Sequence, residues 1–310
     1  MKAGSTLERI LCAGHFAVTA ELGPPRGTDT AVVEKKADEL RGSVDAVNVT
    51  DNQSARVHMS SIACAALLVR RGVEPVMQMA CRDRNRIAIQ SDILGASALG
   101  VKNILCISGD HHSLGDQPGA KKVYDIDSTQ LVAMTKRLRD ERRILGSEEE
   151  VCGSVPLFIG TAANPFAIPH ELRAHLLAKK VAAGADFSQT QCVFDVAMFA
   201  DWMEKVRSMG VHRKCRILAG VIPLKSFRMA RYMAENVPGI VIPDSILKRL
   251  EATPREKAAA EGIRICCETI RQVKEIEGVA GIHIMAIEWE HRVPEIVEKA
   301  GLLPRPKTCV

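Results

Sequence analysis

The chain of 310 residues is poor in aromatics, with 2 Trp, 2 Tyr and 7 Phe. That scarcity leaves its interior to Ala, Ile, Leu, Val and Met. None of its ten cysteines forms a Cys-x-x-Cys pair, and most sit inside apolar runs such as Ile104-Leu105-Cys106-Ile107. The pattern argues for reduced, buried thiols in a cytoplasmic protein, with the adjacent Cys266 and Cys267 packed on a helix. No apolar stretch is long enough to span a bilayer, and a polar start followed by a strand gives no signal peptide. Blocks of one charge are missing too. Lys and Arg (42) barely exceed Asp and Glu (37), for a net charge of +5, and they are spread along the chain. Nucleic-acid binding therefore gains little support, while small anionic ligands are mildly favoured. There is no linker or low-complexity stretch, so residues 1–310 are expected to form one domain. With 46% hydrophobic residues, the chain can bury its core without disulfide or metal.

Short β-prone runs alternate with helical ones. Strands are predicted at Phe16–Leu22, Ala46–Thr50, Glu74–Ala80, Asn103–Ser108, Pro156–Ala162, Asp186–Gln191, Arg216–Ile222 and Gly281–Ile287. Helices are predicted at Thr30–Arg41, Val57–Arg71, Asn85–Leu99, Ser128–Leu145, His170–Ala183, Asp195–Met209, Lys225–Ala234, Pro243–Leu250, Pro254–Ile276 and Val293–Ala300. Strand–helix alternation predicts a parallel sheet with right-handed crossovers, and eight strands over this length make a (β/α)₈ TIM barrel, an α/β fold. Two helices before strand 8 are an insertion in the last crossover. The strands read as apolar on both faces. Gly42, Gly72, Gly100, Gly184 and Gly210 stand where helix C-caps belong. An open doubly wound sheet is the alternative, but no Gly-x-Gly-x-x-Gly follows the first strand.

In such a barrel the strand C-termini form the active-site rim. Glu21 ends the first strand and is followed at once by Gly23-Pro24-Pro25. Read by itself it is either a proton donor or a structural carboxylate that caps amides or pairs with Arg26. Other strand ends carry Thr50-Asp51-Asn52-Gln53, Gln78, Ser108-Gly109-Asp110, Asn164, Gln189 with Gln191, Lys225 with Phe227, and Glu288. That is an enzyme-like rim. It lacks His, Asp and Glu at metal spacing, so no metal site is expected. His111-His112 reads as a solvated or phosphate-facing loop pair.

At four places the chain resembles the methylenetetrahydrofolate reductases, flavin-dependent (β/α)₈ enzymes. Glu21-Leu22-Gly23-Pro24-Pro25-Arg26 is similar to the family's first-strand motif, and Ser108-Gly109-Asp110 to its Arg-Gly-Asp. Residues 183–195 are similar to its Gly-Ala-x(4)-Thr-Gln-x-x-Phe-Asp block, and Gly220-Val221-Ile222-Pro223 with Phe227 to its Gly-Ile-x-Pro-x(3)-Phe segment. The resemblance implies reduction of 5,10-methylenetetrahydrofolate to 5-methyltetrahydrofolate by hydride from a reduced flavin. It implies that Glu21 is the general acid that opens the folate ring, burial beside Leu22 and Pro24 being the expected means of keeping it protonated. Asp110 is then the second carboxylate, near flavin and pterin. Gln191 and Phe227 would bind the folate. The implied flavin site takes in Thr50, Asp51, Gln78, Ser108, Gly109, Asp110, Tyr124, Asn164 and Lys180, with Asp127 and Ser128 either ligands or N-caps of the next helix.

The chain departs from the family pattern at Ser108, at Asp51-Asn52-Gln53, at Gln78 and at Asn164. These positions touch the flavin tail and the dinucleotide's stacking surface, so FAD and FMN both stay open, as does direct use of NAD(P)H. Glu288-Trp289 replaces a usual Asn-Arg, leaving Arg228, Arg231 or Arg292 to meet the folate carboxylates. The resemblance is to the short anaerobe-type branch, which implies an oligomer and a cysteine-rich zinc and iron–sulfur partner subunit. Two other readings remain: a Schiff-base lyase using Lys102, Lys180 or Lys225, and a catalytically silent or electron-relaying scaffold subunit.

Overall fold

The computed structural model describes residues 1–237 and 239–307. Eight strands, all parallel, close in sequence order into a barrel. They are β1 (Ala17–Leu22), β2 (Ala46–Val49), β3 (Pro75–Ala80), β4 (Asn103–Ile107), β5 (Phe158–Ala163), β6 (Phe187–Cys192), β7 (Arg216–Val221) and β8 (Val279–Ile284). The helices are α1 (Thr6–Cys12), α2 (Thr30–Leu40), α3 (Ser61–Arg70), α4 (Arg86–Ala98), α5 (Ser128–Asp140) and α6 (Arg173–Ala183). They continue with α7 (Val196–Ser208), α8 (Val211–Lys214), α9 (Phe227–Asn236), α10 (Asp244–Glu251), α11 (Ala258–Lys274) and α12 (Val293–Lys299). The (β/α)₈ barrel expected from the sequence is therefore present. Its β7–β8 crossover carries α9 and α10 besides α11, which packs on both strands. The five glycines expected at helix ends all adopt positive φ, from 67° at Gly210 to 124° at Gly184, where a Cβ would be strained.

Outward-facing residues such as Val18, Ala20, Ile104, Ile282 and Ile284 join the main core under the helices. The inward face differs from the expectation of strands apolar on both sides. Side chains alternate across a strand, and the inward set divides by height. A lower layer of Ala17, Ala46, Val76, Leu105, Phe158, Phe187 and Leu218 is apolar, with Phe158 and Phe187 stacked at 5.1 Å. Above it lie Thr19, Asn48, Gln189 and His283, all buried and polar. Glycine makes room for the large rings, since a Cβ on Gly160 would stand 2.3 Å from Phe187.

Three local predictions are corrected. The segment before the first strand is a helix, α1, whose Leu7, Ile10 and Leu11 cap the apolar layer from below. The third helix starts at Ser61, not Val57, because Ser60 is extended and caps it, its hydroxyl oxygen accepting from Ala63 N–H. The fifth stops at Asp140, because Arg142 (φ 53°) leaves the helical region. Seven cysteines are buried as expected, but Cys12 and Cys152 are exposed, and Cys309 lies outside the described residues. No helix among the described residues is long and apolar enough to cross a membrane.

The plug is anchored by carboxylates. Glu8 accepts from the backbone N–H groups of Ala3 (2.9 Å) and Gly4 (2.7 Å), and from that of Lys2. Glu74 accepts from Leu7 N–H at 2.9 Å. Burial pushes the Glu8 carboxyl upward, but those three donors outweigh it and hold it below the ordinary value. A depressed carboxyl stabilises the fold above its unfolded pKa, and the effect fades as pH falls through the folded one. Glu8→Gln should therefore unfold at lower urea concentration than the wild type at neutral pH. The gap should close below about pH 4; an equal gap at both pH values would contradict this role.

Candidate active site

The C-terminal ends of the strands enclose a cavity of about 740 Å³, within the usual range for small-molecule sites. It gathers Glu21 from β1, Thr50 and Asp51 after β2, Gln78 from β3, and Ser108, Gly109 and Asp110 after β4. Asn164 follows β5, Lys180 lies on α6, and Gln189 and Gln191 come from β6. With His283 and Met285 of the last strand's end also on its wall, positions as far apart as Glu21 and Met285 meet in one space. Two candidates do not line it. Tyr124 stands on the rim, its hydroxyl 3.5 Å from Gly109 O and its ring edge-on to His112. Phe227 opens α9 and packs with the apolar cluster around Ile222, Leu224 and Met233.

Glu21 is about one-fifth exposed, and its Oε2 lies 3.8 Å from His283 Nε2. The anticipated Arg26 pairing is absent, because Arg26 pairs with Asp116. Asp110 is exposed, and its Oδ2 accepts from Ser54 N–H at 2.8 Å. Gln191 Oε1 accepts from Cys192 N–H at 3.0 Å. Thr50 donates its hydroxyl to Gln53 Oε1 at 2.8 Å. Lys180 donates to Ala162 O at 2.7 Å, and burial lowers its ammonium below the ordinary lysine value. Asp127 forms a capping box with Gln130 at the start of α5, the N-cap of the two readings, and also lines the cavity.

Asp51 is the least available of the candidates. Its side chain has no exposure, and its oxygens accept from Arg84 Nη1 (2.7 Å), Arg84 Nη2 (3.2 Å) and Ala80 N–H (2.9 Å). It ties the end of β2 to β3. Next to it, Arg82 is 1% exposed and binds Asp83 through Nε and Nη2. Its remaining donors reach Asp110 O (3.2 Å) and Asn52 O (3.1 Å). Burial lowers the Arg82 pKa, and the Asp83 carboxylate more than offsets it, so the guanidinium stays charged. His112 is not solvated as the sequence suggested: it is buried with Nε2 3.6 Å from Asp83.

Residue reading alone missed Arg82, Arg84, Arg173, Lys179 and His283. Counting alternate residues along β8, where Gly281, His283 and Met285 face inward, was the signal available for His283. Of the three lysines weighed for Schiff-base chemistry, Lys180 lines the cavity. Lys102 reaches Gly4 O at the opposite end, and Lys225 sits 5.7 Å over the Trp289 ring. Among the cations considered for the folate carboxylates, Arg231 pairs with Glu235 and Arg292 with Glu295. Among the described residues, no group of three His, Cys, Asp or Glu could hold a metal ion.

A cavity of amides, carboxylates and cations at the C-terminal mouth of a parallel barrel defines a (β/α)₈ protein of enzyme type. The chain belongs to the methylenetetrahydrofolate reductase family, whose model matches residues 6–301. A probable NADPH-dependent methylenetetrahydrofolate reductase from Caenorhabditis elegans is 25% identical over 250 residues, covering 80% of this chain and 35% of that protein. The chain thus spans about a third of that relative's length, and 36% of a fission-yeast reductase. The 5,10-methylenetetrahydrofolate reductase of Salmonella typhimurium is 22% identical, with 94% of this chain and 93% of that one covered. Among solved structures, a Clostridium thermocellum protein described as binding two copies of 5-methyl-5,6,7,8-tetrahydrofolic acid superposes with a TM-score of 0.61. At 14% identity over 97% of this chain and 99% of that one, the likeness shows the fold.

The Asp51–Arg84 tie yields a stability prediction. Removing one partner of a buried ion pair strands the other charge. Arg84→Met should cost about 3–5 kcal/mol in urea unfolding, and Asp51→Leu added to it should recover part of the loss. A single variant as stable as the wild type would show that the pair is not needed.

Proposed function

We propose that this protein reduces 5,10-methylenetetrahydrofolate to 5-methyltetrahydrofolate with a bound flavin. The observation that carries the reading is the meeting of Glu21, Asp110 and Gln191 on one cavity, in a chain of this family. The donor set also fits a flavin. Lys179, Lys180 and Arg173 put cations along one wall, suited to phosphate. Leu105, Ile107 and Ala162 give an apolar floor, and Thr50, Gln78, Ser108 and Asn164 offer amides and hydroxyls to a polar ring edge. When bound, the flavin supplies the hydride.

The chain's own residues prepare the acceptor. The closed imidazolidine ring of the folate accepts hydride poorly, so it must first open. Glu21 holds the proton that goes to N10, breaking the bond from N10 to the one-carbon unit and leaving a 5-iminium cation. Asp110, as a carboxylate on the same cavity, stabilises that cation. Gln191 contributes an amide to hold the pterin. The flavin takes its electrons either from NAD(P)H or from a cysteine-rich zinc and iron–sulfur partner subunit.

Anaerobically purified protein should release FAD or FMN, and methyltetrahydrofolate should bleach the bound flavin near ~450 nm. Protein that takes up no flavin on reconstitution would sink the reading. Glu21→Gln should keep its flavin and accept electrons from dithionite, yet lose about 10²–10⁴-fold in folate turnover. Undiminished turnover would remove Glu21 as the acid.

A further inference from the structure

Beneath the cavity a chain of hydrogen bonds crosses the barrel interior from β2 to β8 and ends at His283, whose ring faces Glu21. Asn48 Nδ2 donates to Gln189 Oε1 at 2.6 Å, and Gln189 Nε2 donates back to Asn48 Oδ1 at 3.0 Å. The second hydrogen of Gln189 Nε2 goes to Thr19 Oγ1 at 3.1 Å. Thr19 thus accepts from Gln189, and its own hydroxyl hydrogen has two acceptors in reach. His283 Nδ1 is the nearer at 3.0 Å, and Ile282 O lies at 3.3 Å. Donation to Nδ1 leaves that nitrogen bare, so a neutral imidazole carries its proton on Nε2. Nε2 is the atom that faces Glu21 Oε2 at 3.8 Å. The gap is longer than a hydrogen bond, of the kind that tightens when a ligand is bound.

The neighbours of this imidazole are few. Thr19, its register partner on β1, is buried, and Gly220, its partner on β7, presents no side chain. From β6 come Gln189 and, near Glu21, the Cys192 thiol, which burial pushes up to about 12. His283 is itself 3% exposed. An imidazole buried there and bonded on its far side has little freedom to turn.

We propose that His283 is the positioning residue of Glu21, held by Thr19 as the Nε2–H tautomer so that it aims a donor at the carboxylate left when Glu21 gives up its proton. The donor holds the side chain in the cavity and stabilises its charged form after transfer. The inference rests on Glu21 as the acid of the reaction proposed above.

The tautomer can be read directly, without flavin or folate. In ¹⁵N-histidine-labelled protein at about pH 8, where an ordinary histidine is neutral, the His283 signals are identified by their loss in His283→Gln. They should show the proton on Nε2 in the wild type and a mixture of tautomers in Thr19→Val. A proton on Nδ1 would turn the Thr19–His283 bond around, sending the Thr19 hydroxyl to Ile282 O, and would overturn the proposal, as would a tautomer indifferent to Thr19→Val. In turnover, Thr19→Val should lower kcat about tenfold with KM unchanged, and Thr19→Ser should restore it to within about twofold. Packing alone predicts the opposite order, because Val fills the volume of Thr and Ser does not; that order would also overturn the proposal. If the wild type neither binds flavin nor turns over folate, the functional reading fails, while the tautomer still decides the case of His283.

Discussion

The axis of a closed parallel barrel has room for only a few inward side chains at each level, and the rest of this protein's interior follows from how those levels are filled. The lowest is apolar and is sealed by α1, so the ring is packed against water at that end. The next is polar, with Thr19, Asn48, Gln189 and His283 satisfying one another. Only above this layer does the interior open into a cavity. The polar layer is stable because nearly every donor has a partner inside it; half-satisfied, it would cost more than an apolar filling. Its Ser188 neighbour on β6 points to the other face and has no hydrogen-bond partner.

The rim is held by charge. Arg82 and Arg84 follow β3 and reach back to the loop after β2, one through Asn52 O and the other through Asp51. Between these anchors the backbone accepts left-handed conformations at Asn52, Ser54 and Ala55, which cost free energy in residues that carry a Cβ. Asp110 binds the N–H of Ser54, and a Cβ on Gly115 would lie 1.8 Å from Ala55 O, so the loops after β2 and β4 are fitted together. Asp110 therefore serves two ends at once. One oxygen accepts from the neighbouring loop, and the carboxylate lines the cavity.

Of the positions at which the sequence departs from the resemblance, Asp51-Asn52-Gln53, Gln78, Ser108 and Asn164 lie in or after β2 to β5, and Glu288-Trp289 follows β8. Ser108 takes the place of an arginine after β4, yet a fully buried guanidinium, that of Arg82, lies against the adjoining Gly109, whose Cβ would stand 3.2 Å from Nη1. Positive charge is kept near this turn but supplied from β3. On the opposite wall Lys179, Lys180 and Arg173 come from α6 and its approach. The cavity's cations thus come from the β3 and β5–β6 sectors, and its carboxylates from the β1, β2 and β4 ends.

Much of this protein is legible in its amino-acid sequence. Strand–helix alternation points to the barrel because hydrophobic period and turn residues are local properties of a chain. The rim position of Glu21, Asp110 and Gln191 follows from knowing which end of each strand points to the cavity. What the chain could not disclose alone is which side chains meet across it. His283 and Glu21 are 262 positions apart, and they approach each other because closure makes β8 and β1 neighbours. The same holds for Arg84 and Asp51, and for the apolar face of α1, which has no meaning until the barrel offers a floor to cover. Asp51 and Phe227 mark the other side of that limit. One is a rim carboxylate already taken by an arginine, the other a motif aromatic turned into a helical cluster. Composition and period decide what a segment is; only the closed sheet decides what it faces.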